Sequence, residues 1–426
     1  MTITIFLGSL LGALAIGMPI AYALLLCGVA LMIHLDLFDA QIVAQNLING
    51  ADSFPLMAVP FFMLAGEIMN TGGLAKRIVN LAMALVGHIR GGLGYVAILA
   101  ATVMASLSGS AVADAAALAT LLVPMMVAAG HDRNHSAGLV SASAIIAPII
   151  PPSIGFVIYG VAGNVSITKL FLAGIFPGIL LAVGLCGAWC YVSRKETLVP
   201  PSRRPLREVL SVMREGVWAL MLPVIIIVGL KFGVFTPTEA AVVAAVYSLF
   251  VAVCVYREMS VADIYPALLG AAKTTSIVMF LVAAALVSSW LITVANLPGM
   301  VSDLLEPLMD NPTLLLLAMM ALVVAIGTAM DMTPTILILT PILVPVCKQA
   351  GIDPVYFGVL FIMNCAIGLI TPPVGTVLNV VCGVSKLRME ALVKGVWPFL
   401  LVQLFVLFLL TLFPSLVMVP ASWLTR

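Results

Sequence analysis

The chain has 426 residues, 63% of them hydrophobic and only 9% charged, with a formal net charge of +1 and a mean hydropathy of +1.23. A soluble domain carries about 25% charged residues, so this composition excludes a soluble globular protein and identifies a polytopic membrane protein. The near-zero charge gives no basis for binding nucleic acid, and long apolar runs point to an all-α chain whose helices satisfy their own backbone in lipid.

Residues 3–34 carry no Lys or Arg, the first being Lys76, so they read as a retained first span rather than a cleaved signal. A shorter span follows at 55–70. The amphipathic stretch LAKRIVNLAMALVGHIR (74–90) is expected to lie at the interface as an arm. Next come a polar-tipped segment (104–129) containing ASLSGSAVADAAALA, a span interrupted by APIIPPSIGF (137–165) and a closing span (168–192). SRKETLVPPSRRPLREVLSVMREG (193–216) holds Pro200, Pro201, Pro205 and six of the nineteen Lys and Arg residues, and reads as a linker. Beyond it the order recurs. A first span of one or two segments (217–256) precedes an arm REMSVADIYPALLGAAK (257–273) and a shorter span (271–295). A polar-tipped segment with IGTAMDMTPTILILTP (325–350), a span broken at GLITPPVGTVLNV (355–384) and a closing span (392–419) complete the chain.

The recurrence holds in register. At an offset of 221 residues Pro124 matches Pro345, Gly130 matches Gly351, Asp132 matches Asp353, Pro151-Pro152 match Pro372-Pro373, Gly174 matches Gly395 and Pro177 matches Pro398. Upstream, Pro19 finds a partner in Pro237. The chain therefore divides into a first repeat (1–192), a charged linker (193–216) and a second repeat (217–426), the organisation of many secondary transporters. If each polar-tipped segment re-enters without crossing, each half crosses an odd number of times and the repeats are inverted. The basic linker favours the cytoplasmic side. That places the N-terminus outside, and the Lys76, Arg77, Arg90 cluster then falls on the opposite side from the linker.

Polar residues inside apolar segments gather at four places, the two polar tips and the two Pro-Pro breaks. A Pro inside a helix removes a hydrogen bond, and unwound backbone at membrane depth is tolerated where it lines a cavity or is buried in protein. Carbonyls at a broken helix end suit Na⁺, and the N-terminus of the next half-helix suits an anion. Four carboxylates fall in apolar runs: Glu67, Asp114, Glu239 and Asp331. Each costs about 2.5–3.5 kcal/mol at the bilayer centre, which makes it a site hypothesis. Asp331, between Thr328 and Thr333, is the first candidate and Asp114 the second, for binding a cation, relaying a proton or accepting amide bonds. Glu67 and Glu239 read as caps or interfacial residues. No Lys or Arg lies in the four segments, so an anionic substrate would be held mainly by amides, hydroxyls and co-bound cations, although Arg133 or Lys348 could swing in. An intramembrane aspartyl protease using Asp114 and Asp331 is the rival from another class. Neither Asp stands in the Gly-x-Gly-Asp context of such enzymes, and no zinc-protease motif is present, so no enzymatic activity is expected. The seven cysteines are scattered in apolar surroundings and read as small hydrophobes.

The motifs SGSAVADAAALA, IIPPSIGF, GVFTPTEAA, MDMTPTILILTPIL and IGLITPPVGTVLNV resemble the large membrane (permease) subunit of tripartite ATP-independent periplasmic (TRAP) transporters, over nearly the whole chain and nearest the 2,3-diketo-L-gulonate type. The resemblance implies an elevator-type importer with two inverted repeats, re-entrant hairpins and discontinuous helices in the bacterial inner membrane. It would couple Na⁺ to uptake of an organic acid, a C4-dicarboxylate or a sugar acid such as a diketogulonate, without other cofactors. Its implied partners are a small four-helix membrane subunit and a periplasmic substrate-binding protein, and the length suits the large subunit rather than a fusion of both membrane subunits. Carried over, the hairpin tips are Ser106, Ser108, Gly109, Ser110 and Gly327, Asp331, Thr333. The breaks are Pro151, Pro152, Ser153 and Thr371, Pro372, Pro373, Gly375, Thr376, with Asn379 one turn on. Na⁺ would sit near Ser106, Ser108 and Pro151, and near Gly327, Asp331 and Thr371. Thr371, Thr376 and Asn379 match Ile150, Gly155 and Ile158, so two ion sites cannot use identical side chains. A stand-alone carboxylate transporter of related fold and a proton-coupled one using Asp331 are the remaining alternatives.

Overall fold

A computed structural model of the chain describes residues 2–194, 196, 203 and 205–425. Pro200 and Pro201 of the linker lie outside the described residues. The first half comprises α1 (Thr2–Ala15), α2 (Ile20–His34), α3 (Ala40–Ala51), α4 (Ala58–Thr71), α5 (Leu74–Val86), α6 (Gly92–Ser108), α7 (Ala111–Ala128), α8 (Arg133–Ala144), α9 (Ile154–Gly163) and α10 (Ile167–Ser193). The second comprises α11 (Leu206–Lys231), α12 (Pro237–Phe250), α13 (Val261–Val294), α14 (Leu297–Met309), α15 (Pro312–Gly327), α16 (Met332–Gln349), α17 (Pro354–Gly368), α18 (Thr376–Ser385) and α19 (Met389–Leu412), and α20 (Ser415–Thr425) follows. Among the described residues every regular element is helical, and eight stretches are long and apolar enough to cross a membrane.

The 221-residue offset aligns these elements, and the residues that carry it prove to be caps and turns. Gly130 and Gly351 both take positive φ after a helix, and Asp132 and Asp353 both cap the next one, accepting from His135 N (2.9 Å) and Val355 N (2.7 Å). Pro19 and Pro237 each stand at the start of a helix.

Several expected boundaries shift. Residues 3–34 form two helices, because Gly17 at φ +80 and Pro19 end α1 and start α2. The second arm is not 257–273: that stretch opens α13, a 34-residue helix about 51 Å long. The element matching α5 is α14, which has a comparable amphipathic pattern, while α13 matches α3 and α4 together, parted in the first half by a 3-10 turn at Phe54–Met57. The expected linker is helical from Leu206 on, the polar-tipped segments begin earlier, at Gly92 and Pro312, and the last span stops at Leu412 before Pro414.

The repeats are inverted. The Arg133 guanidinium at the start of α8 donates to Ser385 O at the end of α18, whereas the Tyr159 hydroxyl in α9 donates to Pro354 O at the start of α17 (2.8 Å). The two broken helices therefore run antiparallel. Helix α7 packs along α18 and α16 along α9, so each hairpin of one half holds the second half-helix of the other. The Lys76, Arg77, Arg90 cluster lies on the linker's side, contrary to expectation. Arg77 pairs with Glu258 (2.8 Å) and lies over Tyr256 (3.7 Å), whose hydroxyl reaches Glu215 O (2.7 Å), and Arg90 donates to Glu196 O (3.0 Å). The basic segments thus share one face, as the positive-inside rule asks of a cytoplasmic face.

Candidate functional site

Hairpin 1 turns at Ser108-Gly109-Ser110. Gly109 sits at φ +60, and a Cβ there would lie 2.7 Å from Pro152 O, so glycine lets the tip rest against the first break. Ser110 caps α7, accepting from Ala113 N (3.4 Å). In the first break the chain leaves α8 through i→i−3 turns at Ile146, Ala147 and Ile149, and Pro151-Pro152 is cis. Ser153 then caps α9: its hydroxyl donates to Pro148 O and accepts from Phe156 N (3.3 Å). Helix α8 has 12 residues and α9 has 10, about 18 and 15 Å. Neither spans a hydrocarbon core of about 30 Å, so the break lies near mid-depth, and so does the tip that touches it. Length alone admits α7 and α16 as spans; the contact with the break shows that hairpin 1 re-enters.

Hairpin 2 turns between Gly327 and Asp331. A Cβ on Gly368 would lie 2.9 Å from the Gly327 C and O atoms, so α15 and α17 cross backbone to backbone where the second break begins. Val374 N donates to Thr328 O (3.3 Å), and the Thr376 hydroxyl donates to Asp331 Oδ1 (3.3 Å), tying tip to break. Leu369, Ile370 and Thr371 repeat the i→i−3 turns, Pro372-Pro373 is cis, and Gly375 at φ +48 opens α18. Asn379 Nδ2 holds Val374 O from within α18 (2.9 Å).

The two breaks differ in cover. Residues 141–160 are wholly buried, whereas Thr371, Pro372 and Thr376 are half-buried and Pro373, Val374 and Asn379 are exposed. Thr371, Thr376 and Asn379, where the second break is polar, answer Ile150, Gly155 and Ile158, and their polarity follows this exposure.

Both tips open on one cavity of about 460 Å³. Ser108, Gly109 and Ser110 line one side and Asp331, Met332 and Thr333 another, with Ile154 and Leu369 from beside the two breaks. The remaining wall comes from α4 and α13, including Glu67, Asn70 and Thr274. The N-termini of α7 and α16 border the space, a favourable field for an anion. Among the described residues no three His, Cys, Asp or Glu side chains gather as a metal cluster.

Other sequence candidates fall outside the cavity wall. Ser106 gives its hydroxyl to Val103 O in its own helix (2.6 Å), as Thr371 does to Ile367 O (2.8 Å). Asp114 is fully buried and turned into the hairpin: Oδ1 accepts from Ser108 (2.6 Å), Oδ2 has no partner among the described residues, and it does not line the cavity that holds Asp331. Glu239 forms a capping box with Thr236, as its structural reading expected. Glu67 departs from that reading, since it faces the cavity. Its place in an apolar run, one turn before Asn70, was the available signal.

The family described as the DctM component of the tripartite ATP-independent periplasmic transporter matches residues 7–416. The chain is 58% identical to the 2,3-diketo-L-gulonate TRAP transporter large permease protein YiaN of Escherichia coli, over 99% of this chain and 100% of that protein. It is 40% identical to the sialic acid large permease SiaM of Vibrio cholerae over 95% of each, and 39% identical to the C4-dicarboxylate large permease DctM of Pseudomonas aeruginosa over 90% of each. Among solved structures the YdaH transporter of Alcanivorax borkumensis shares the fold, with a TM-score of 0.65 at 16% identity over 88% of this chain and 89% of that one. With its inverted halves, paired hairpins and broken helices, this chain belongs to the DctM family of large permease subunits of TRAP transporters.

Proposed function

We propose that the chain carries out Na⁺-coupled uptake of an organic acid across the bacterial inner membrane, as the permease of a tripartite system with a small four-helix membrane subunit and a periplasmic binding protein. The observation that carries this reading is the convergence of two hairpin tips, each resting against a helix break, on one cavity with no Lys, Arg or His in its wall among the described residues. With no cation built in, an acid needs a co-bound positive charge, and Na⁺ at the two tips, beside Ser108 and the Pro152 carbonyl at one and beside Asp331 and the Thr328 carbonyl at the other, would supply it. The cavity lies between the hairpin-bearing body and the α4–α13 wall, and an elevator stroke would carry the first past the second. A sugar acid is favoured by the 58% identity to YiaN.

The test is Na⁺-dependent uptake in proteoliposomes holding the chain, its small subunit and the binding protein. Asp331→Asn and Thr376→Ala, which removes the hydroxyl bonded to Asp331, should each weaken Na⁺ dependence at least tenfold while insertion stays normal. Unchanged Na⁺ dependence in both removes the ion assignment. Uptake that persists without Na⁺ and follows a pH gradient would establish proton coupling, and uptake by the chain alone would establish a stand-alone carrier.

A further inference from the structure

Among the described residues the cavity wall carries two ionisable side chains, both acidic: Asp331 at hairpin tip 2, and Glu67 on α4. Thr376 donates to Asp331 from the second break. Glu67 has no such partner, since among the described residues no hydrogen bond or ion pair reaches its carboxylate. It lies over Gly270 of α13, where a Cβ would stand 3.4 Å from Glu67 Cδ and 3.6 Å from either carboxylate oxygen. Asn70, one turn on in α4, and Thr274, one turn on from Gly270, extend this polar strip between Met63 and Ile277.

An acid entering the cavity meets different fields at its two ends. A Cβ on Gly66 would stand 3.6 Å from Ser108 Cα, so Glu67 borders the tip 1 side of the cavity. The N-terminal amides of α16, with Na⁺ beside Asp331, attract the carboxylate to tip 2, and the other end of the acid then lies toward Glu67. A second carboxylate there would meet a like charge in a half-buried site of reduced dielectric. Hydroxyl groups would instead donate to Glu67 and to the Asn70 carbonyl oxygen, as charge-assisted bonds in the first case. We infer that Glu67 is a specificity-determining residue, with which the α4–α13 wall selects monocarboxylates bearing a hydroxylated tail and rejects dianions. The inference rests on the proposed function in taking the cavity as the acid site, and it adds a second reader of substrate downstream of any binding protein.

The test is ligand-dependent thermal unfolding of the purified full chain in Na⁺, with D-gluconate as hydroxylated monoanion and succinate as dianion. Gluconate should raise the melting temperature of the unmodified chain, and succinate should need at least tenfold more for the same shift. Glu67→Gln should close that gap, with succinate gaining about tenfold while gluconate loses affinity. Asn70→Ala should weaken gluconate without admitting succinate. Equal responses to both acids that Glu67→Gln leaves unchanged, yet Asp331→Asn abolishes, would overturn the inference and leave the acid site standing. No response of the unmodified chain to either acid would overturn both.

Discussion

Gly109→Ala isolates the contact between a hairpin tip and a helix break. Gly109 holds φ +60, and a methyl there would stand 2.7 Å from Pro152 O, 3.4 Å from Ile154 N and 3.5 Å from Ser153 Cα. The backbone strain of a non-glycine residue in this region is about 1–2 kcal/mol. Overpacking against a fixed backbone adds about 1–3 kcal/mol, and the oxygen cannot swing away as a side chain would. Gly351 supplies the control, because it holds φ +73 with nothing within 4 Å of an added Cβ. Gly351→Ala should therefore cost only the strain, and the difference between the two variants measures the contact. Thermal unfolding of both should place Gly109→Ala about 1–3 kcal/mol below Gly351→Ala. In proteoliposomes Gly109→Ala should also raise the Na⁺ concentration for half-maximal uptake, because relieving the clash parts the tip from the Pro152 carbonyl, while Gly351→Ala leaves it unchanged. Equal stabilities and equal Na⁺ dependence would refute a working contact between tip 1 and break 1.

Asp114→Ala should destabilise the chain by about 1–3 kcal/mol, because the Ser108 hydroxyl is left buried without its acceptor. In a double-mutant cycle Ser108→Ala should add less than its own single cost; full additivity would show that the 2.6 Å bond contributes nothing. Trp189→Phe removes the indole donor to Gly91 O (2.7 Å), in a site where α6 approaches closely at Gly94. It should cost about 1–3 kcal/mol in thermal unfolding, because the buried carbonyl loses its donor, without changing Na⁺ dependence in uptake assays.

Much of the architecture is legible in the residues because lipid is a severe solvent. A polar group or a Pro pair at membrane depth is costly unless it has a purpose, so the tips and breaks stand out against apolar runs. The duplication is readable because it is carried by residues with narrow conformational roles. Gly130 and Gly351 must take positive φ, and Asp132 and Asp353 must cap a helix, whatever surrounds them. The same offset assigns α14 as the second arm, whereas the hydrophobic pattern alone points to 257–273. Whether that stretch lies apart or continues into α13 depends on its neighbours rather than on its own propensity.

What the residues could not settle is where side chains point and which distant segments meet. Asp114 and Asp331 look alike as intramembrane carboxylates, but packing turns the first into its own hairpin and leaves the second facing a cavity. Glu67 resembles a capping or interfacial acid until α13 is laid against α4, with Gly270 leaving room for its carboxylate. The covered first break and the open second one differ through what packs over them, and their local sequences only follow suit. Chemistry at each position was local and therefore readable, whereas the cavity is assembled across more than 200 residues of chain, by contacts that exist only once the halves have interleaved.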